Sequence, residues 1–462
     1  MLEDVGTPGS DDWFLMELAI QYGNDLPRLV KLKSYSDGTN VLPDEVDPGM
    51  KDAYRRFIHM SRLNLADLVV ASKVSRLRPL GFTTAAPGDT DGDAAAWSTW
   101  KRSGMKVGVR DFFKDAGIYG SAYLTTTGPA VPSSTAEPLI VASNGFSTAT
   151  IQNSVQNWLS DAMLQVGYDL INQVEILTLF RAGYMRQAMR EAKKSSVVLN
   201  GKRWTPGRNW DWVSDPIPLG YTDGVPGCKM SGPDDMGMFE KHLDSLDRIT
   251  NGIRDRLTIN AMQAFKQRAI KGDLPDVYPP GHQLAGQKVP YNEIFEVGPA
   301  ALWRLPPGVE IWESSVTDTQ GILNGSKDDV KNFSAVSSTP MYILSPDAVN
   351  ASAGAADKSA EAFETSVEEW QDRAEMPIAL ALSLSFLAQG DATRAAIGEI
   401  GIDWSPVSRS SINEKSQAAS AAKTGGSSQA FINKSIWGMS PEQLKQERQD
   451  RTDEQFEAPI AS

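Results

Sequence analysis

Residues able to do chemistry are few and scattered in this chain of 462 residues. Its three histidines, His59, His242 and His282, lie far apart. Two of them fall on predicted helices, so helix packing or surface placement is a plainer reading than metal ligation or proton transfer. The single cysteine, Cys228, has no histidine near it in sequence and is not read as a nucleophile. With one cysteine no disulfide forms within the chain, which fits a reducing compartment. Asp89, Asp91 and Asp93 begin like a calcium loop. That pattern needs glycine at its sixth position and glutamate at its twelfth, whereas Gly92 is fourth and Trp100 twelfth, so a solvated loop is the better reading. Asp357, Glu361, Glu364, Glu368, Glu369 and Asp372 share the polar face of a predicted helix. A hydrolytic carboxylate pair is one reading of them, and a solvated or channel-facing surface is the simpler one. The sequence has no P-loop, nucleophile elbow or dinucleotide fingerprint. It therefore assigns no catalytic residue, metal ligand or cofactor.

Charged residues make up 22% and aromatics 8%, the balance of a globular protein rather than a disordered one. The net charge is −13. Proteins that grip nucleic acid gain affinity by releasing phosphate counterions to Lys and Arg, so a chain this acidic should touch DNA weakly or repel it. The polar, acidic start lacks the order of a signal peptide. The longest apolar candidate, 377–388, falls short of the roughly 18 residues of a membrane span. The expected product is soluble, intracellular when made, and without a membrane partner.

These residues must be carried by the following elements. Residues 13–35 predict a helix interrupted near Gly23 and Pro27; 48–77 and 97–119 predict further helices. From about 120 to 230 the chain turns to short β-rich runs: GSAYLTTTG, PLIVAS, AMLQVGYD, VEILTLFRAG, SVVLNGKRW and DWVSDP. Trp204, Trp210 and Trp212 in this region read as packing. Residues 234–271 predict one rod-like helix, roughly 55 Å long at about 1.5 Å per residue. A proline-rich module, 272–314, follows, with strands fitting VPYNEIFEV and GVEIWES. A second helix starts at Thr317, boxed by Gln320, and stops at Pro340. Next comes a loop of small residues, 344–356, and then a helix over 357–389. The stripe of that helix is Ala360, Phe363, Val367, Trp370, Ala374, Ile378, Leu382 and Phe386, and Pro377 should kink it. The last helix has Ser440 as cap, Pro441 in first position and Gln443 closing the box.

This order of parts resembles the portal proteins of tailed bacteriophages, in particular siphophages of actinobacteria. Local echoes are LPRLVKLKSYSDGTNVLP (26–43), DAGIYGSAYL (115–124), FKQRAIKG (265–272) and STPMYIL with SAEAFE (338–364). The resemblance implies an elongated α+β subunit. It has a wing (1–233 and 341–404), a two-helix stem (234–271 and 315–340), a small α/β clip (272–314) and a short helical crown (405–462). It implies a homo-oligomeric ring, usually of twelve subunits, at one capsid vertex of the virion, assembled in the host cytoplasm. Double-stranded DNA would pass through it without sequence recognition during packaging and ejection. The terminase large subunit, the head–tail adaptor and the major capsid protein would be its partners.

In that frame 344–358 is the tunnel loop, touching DNA through backbone, Asn350, Ser352 and Lys358. Small side chains suit a wall that must pass close to DNA without holding it. Tyr291, Trp303 and Trp312 would be the clip's aromatic anchors for neighbours or partners. The other readings are a different virion structural protein, such as a capsid or adaptor subunit, and a carboxylate-dependent hydrolase.

Overall fold

Helix α1 (Asp11–Ser36) starts at Ser10, whose hydroxyl accepts from the Trp13 amide. It runs unbroken through Gly23 and Pro27, where the sequence predicts an interruption. The reason is local. Proline at 27 cannot donate to the carbonyl four residues back, and that freed Gly23 carbonyl accepts from the Trp204 amide at 3.2 Å instead. A Cβ on Gly23 would stand 2.0 Å from the Trp204 carbonyl oxygen, so only glycine admits this crossing.

These findings come from a computed structural model. It describes the chain except residues 1, 3, 41–50, 88–91, 128–136, 214, 265–267, 273, 292–307, 309, 314–318, 346–352, 409 and 458–462. The helical N-terminal region continues with α2 (Lys51–Ser61) and α3 (Leu65–Val74), then strand β1 (Pro79–Thr83). The single helix expected over 97–119 is two, α4 (Ala94–Arg102) and α5 (Met105–Tyr119), parted at Gly104 with φ +69°.

The β-rich region is real and divides between two sheets. One orders β10 (Gly227–Ser231), β2 (Ser121–Thr127) and β3 (Leu139–Asn144). The other is antiparallel, in the order β4 (Thr148–Gln152), β5 (Ser160–Asp169), β6 (Val174–Arg181), β7 (Tyr184–Glu191) and β8 (Asp211–Trp212), with β9 (Ile217–Pro218) also on β7. The run SVVLNGKRW forms no strand. It belongs to the β7–β8 connection, which Arg190 fastens by donating to the Pro206 carbonyl and to Ser196 Oγ. Trp204 and Trp210 are buried against α1 and this sheet, as packing residues.

Beyond β10 the described elements are α6 (Leu243–Ala264), β11 (Arg268–Lys271), β12 (Glu310–Glu313), α7 (Gln320–Val336), a turn at Met341–Leu344, α8 (Ala353–Ala388), β13 (Gly401–Trp404), α9 (Ile412–Thr424), a turn at Gln429–Phe431 and α10 (Pro441–Glu457). The fold is α+β. Strand β13 pairs with β1, more than three hundred residues earlier. Ser440 and Gln443 form the predicted reciprocal box at the start of α10. The C-terminal part is docked at its root, since Val407 enters the main core and Arg76 donates to its carbonyl.

The chain divides into two units, 1–43 with 63–246 and 330–462, and 44–62 with 247–329. In the larger unit the predicted stripe of α8 is the core from Phe363 onward, while Ala360, its first predicted member, is only half-buried. Phe363, Val367, Trp370, Ala374, Ile378, Leu382 and Phe386 are all buried, among residues of α4, α5, β2, β3 and β10. Pro377 lies within α8, which continues on both sides of it. It marks a change of environment: before it the helix is amphipathic, and Pro377 to Phe386 are buried without exception.

Candidate assembly surface and channel segment

The rod expected over 234–271 is shorter. Helix α6 spans Leu243–Ala264, roughly 33 Å at about 1.5 Å per residue. Its start is delayed because the chain after β10 runs tightly along the C-terminus of α5. Gly232 donates to the Gly120 carbonyl at 2.8 Å and Met238 to the Gly117 carbonyl at 2.7 Å. Asp234 and Asp235 sit at φ +56°, which is not helical. At the far end, Arg268–Lys271 is a strand because it pairs with Glu310–Glu313; a tertiary partner overrides the helical pattern.

Within the smaller unit α6 and α7 run antiparallel. Arg248 Nε meets Asp329 Oδ1 at 2.8 Å, and Gly252 faces Ser326, whose Oγ would lie 2.9 Å from an added Cβ. The strands continue this pairing: Arg268 stands opposite Glu313 and Lys271 opposite Glu310. The result is two helices side by side, followed by two paired strands, carrying 272–309 between the strands. The expected strand in GVEIWES is β12.

Trp312 lies on β12 opposite Ala269 and is 56% exposed. Tyr291 turns back on its own module, its hydroxyl donating to the Pro275 carbonyl at 2.7 Å. Trp303 lies outside the described residues, as does most of VPYNEIFEV. His282 stacks on Tyr278 at 4.4 Å between ring centroids, which gives it a packing role.

Asn350 and Ser352 also lie outside the described residues, and of Lys358 only the backbone is described. The helix behind the small-residue loop begins at Ala353, four residues before its predicted start. Gly354, Ala355 and Lys358 thus belong to its first turns, as the high helix propensity of an alanine-rich run allows. Glu361, Glu368, Glu369 and Asp372 are exposed, and Glu369 pairs with Arg373 at 2.9 Å. They form a solvated face.

Asp93, one member of the calcium-like triad, is committed elsewhere. It caps α4 by accepting from the Ala95 amide at 2.7 Å and the Ala96 amide at 3.1 Å, and it accepts from Arg394 Nε at 2.8 Å. Burial raises its pKa, but bonds from Thr84, Ala96, Arg394 and Ala95 outweigh that and hold it below the usual carboxylate range. Asp89 and Asp91 lie outside the described residues. Cys228 is fully buried, and burial pushes its thiol pKa up, away from reactivity.

A residue that the sequence reading passed over joins α3, α7 and α8. Lys73 is buried, with Nζ donating to Ser366 Oγ on α8 at 2.7 Å and to the Ser337 carbonyl just past α7 at 3.1 Å. It shares the Ser337 carbonyl, just past the end of α7, with the Thr339 hydroxyl, which donates to it at 3.2 Å. His242, Ser338 and Trp370 line the adjoining cavity of about 160 Å³. The available signal was position: Ala66, Val69, Val70 and Lys73 fall on one face of α3.

Burial lowers the Lys73 pKa to about 8, opposed by Glu369. A lysine whose folded pKa is depressed carries a proton in the unfolded chain that the folded chain sheds between about 8 and 10.5. Stability should therefore rise with pH across that window. Lys73→Met should abolish the rise, which thermal melts of both proteins at several pH values would reveal. An equal slope in the variant would contradict this account of Lys73.

No family model matches the chain. No curated protein matches it either. Among solved structures it is similar to one described as the neck of a native GTA particle computed with C12 symmetry, at 12% identity and a TM-score of 0.41, covering 87% of this chain and 97% of that one. The neck of an empty GTA particle computed with C6 symmetry gives the same four values. The virion of a native gene transfer agent (GTA) particle gives 14% identity and a TM-score of 0.35, covering 94% of this chain and 96% of that one. Among the described residues, no helix is long and apolar enough to cross a membrane.

Proposed function

We propose that this chain is a portal-type structural subunit. Copies form a ring at one vertex of a capsid, DNA passes along the axis during packaging and ejection, and the ring serves as the docking platform for the terminase large subunit and the head–tail adaptor. The observation that carries this reading is the excursion between β10 and α8. Two antiparallel helices followed by two paired strands present a small module at a distance in sequence from the α8 core. Such an excursion suits a stem and clip. The small-residue segment directly before α8 supports an axial, non-gripping loop, and the −13 charge supports a wall that repels phosphate. Electron microscopy of the purified full-length protein tests the reading: rings with a central channel are expected, and isolated subunits at all concentrations would refute it.

Among the described residues of 272–314, Trp312 is the most exposed large hydrophobic side chain, open to a neighbour or to the adaptor. Trp312→Ala should weaken ring assembly or adaptor docking, with a loss of about 2 kcal/mol or more if it is a central anchor. Ring yield by size-exclusion chromatography and adaptor affinity by calorimetry are the readouts. Unchanged values for both would remove Trp312 from the interface.

A further inference from the structure

The connection between β7 and β8 inverts the charge of the chain. From Lys193 to Arg208 it carries Lys193, Lys194, Lys202, Arg203 and Arg208, and no Asp or Glu lies between Glu191 and Asp211. All five are exposed, and none forms an ion pair among the described residues. The connection is built rather than loose. Arg190 bonds to Glu175 Oε2 at 2.5 Å and to the Pro206 carbonyl, and Trp204 Nε1 donates to Ser196 Oγ at 2.8 Å. Beside it lies the β5–β6 turn, joined by the Ala192 amide to the Gln173 carbonyl at 2.9 Å. That turn is held by Asp169, which accepts from the Ile171 and Asn172 amides. It presents Leu170 at 75% and Ile171 at 91% exposure. The surface is therefore cationic with an aliphatic tip.

A groove at the β4 edge of the same sheet is its complement. Strand β4 is the edge strand there, and between it and α1 runs an open groove of about 340 Å³. Its apolar lining is Trp13, Ile20 and Ile151, and its exposed charges are Glu17 and Asp25. An aliphatic tip flanked by lysines meets an apolar groove flanked by carboxylates.

We propose that these two surfaces pair between copies, the β5–β6 turn and the Lys193–Arg208 connection of one subunit seating on the α1–β4 groove of the next. A contact between two different surfaces repeats head to tail, and it closes a ring when the rotation allows. Subunits of −13 repel one another, so an interface that places the basic connection against a neighbour's carboxylates offsets that repulsion where copies touch. Double-stranded DNA is the other polyanion such cations fit. The two exposed aliphatic side chains at the tip, which have no phosphate to meet, favour a protein surface.

This inference rests on the ring reading, and the experiment separates the two. Full-length protein is prepared as wild type, as Lys193→Glu/Lys194→Glu/Arg203→Glu, as Glu17→Lys/Asp25→Lys, and with all five substitutions together. Particle mass is measured for each, with circular dichroism confirming that each folds. The wild type should give the ring mass, each partial set should fall to subunit mass, and the combined set should recover the ring. If folded triple variants keep the ring mass, or if the combined set fails to reassemble, the pairing is wrong. If the triple variant keeps the ring but loses binding to a linear DNA duplex, the connection is a phosphate surface and the proposal is overturned. A wild type of subunit mass alone overturns the ring reading itself, and this inference with it.

Discussion

Gly237→Ala is expected to cost about 3 kcal/mol or more of unfolding free energy, a large share of the roughly 5–15 kcal/mol that holds a native domain together. An added Cβ would stand 2.3 Å from the Ile118 carbonyl oxygen and 2.9 Å from its carbon, both backbone atoms. Neither can swing aside as a side chain would. The contact is fixed from both flanks, by Met238 donating to Gly117 and Gly232 donating to Gly120. Gly120 itself sits at φ +80° with the Asp235 carbonyl oxygen 2.2 Å from where its Cβ would be. This crossing sets where α6 begins, so loosening it should also disturb the root of the excursion. The control is Gly167→Ala, with nothing within 4 Å of its added Cβ, expected to change stability by no more than about 0.5 kcal/mol. Urea unfolding midpoints of the two variants check this. A Gly237→Ala protein within about 1 kcal/mol of wild type would show that the α5 terminus yields.

The second large effect is functional. Ala351→Trp with Gly354→Trp should leave subunits folded and assembled while blocking or severely slowing DNA passage. Gly354 lies in the first turn of α8, where tryptophan has a better helix propensity than glycine. Among the described side chains of α8, Phe363 is the first buried one, nine residues after position 354. If the segment before α8 lines the narrowest part of an axial channel, two indoles per subunit narrow it from every side at once. Contacts of the wild-type segment with DNA would be to phosphate and carry no base information. Packaging of DNA into heads, read as nuclease-protected DNA, is the measurement. Normal packaging by the double variant, or a ring with this segment on its outer surface, would falsify the tunnel-loop assignment.

What was legible in the sequence follows from range. The α8 stripe from Phe363 to Phe386 reads directly, because one helix with one buried face imposes its own period. The Ser440–Gln443 box reads equally well, since its partners lie within four residues. The strand at Glu310–Glu313 was visible as a short β-branched and aromatic run, but its partner Arg268–Lys271 was not. That segment has helical composition and becomes a strand only because β12 pairs with it.

The β1–β13 pair joins residues too distant for any local pattern to link. Gly23 and Pro27 look like breakers and act as a matched pair, one freeing a carbonyl and the other admitting the backbone that uses it. Of the candidate site, Trp312 could be placed and proves exposed. Lys73, on a buried stripe where a lysine reads as an anomaly, needed the end of α7 and the side of α8 before its role could be stated.

The central claim is that copies of this chain close into a ring, and the mass of the purified full-length assembly tests it most directly. Native mass spectrometry should find a dominant species at about twelve times the 50.3 kDa subunit, with dissociation favoured by added salt if charge pairing holds the copies together. A protein that remains at 50.3 kDa across the micromolar range and at every ionic strength would contradict the account.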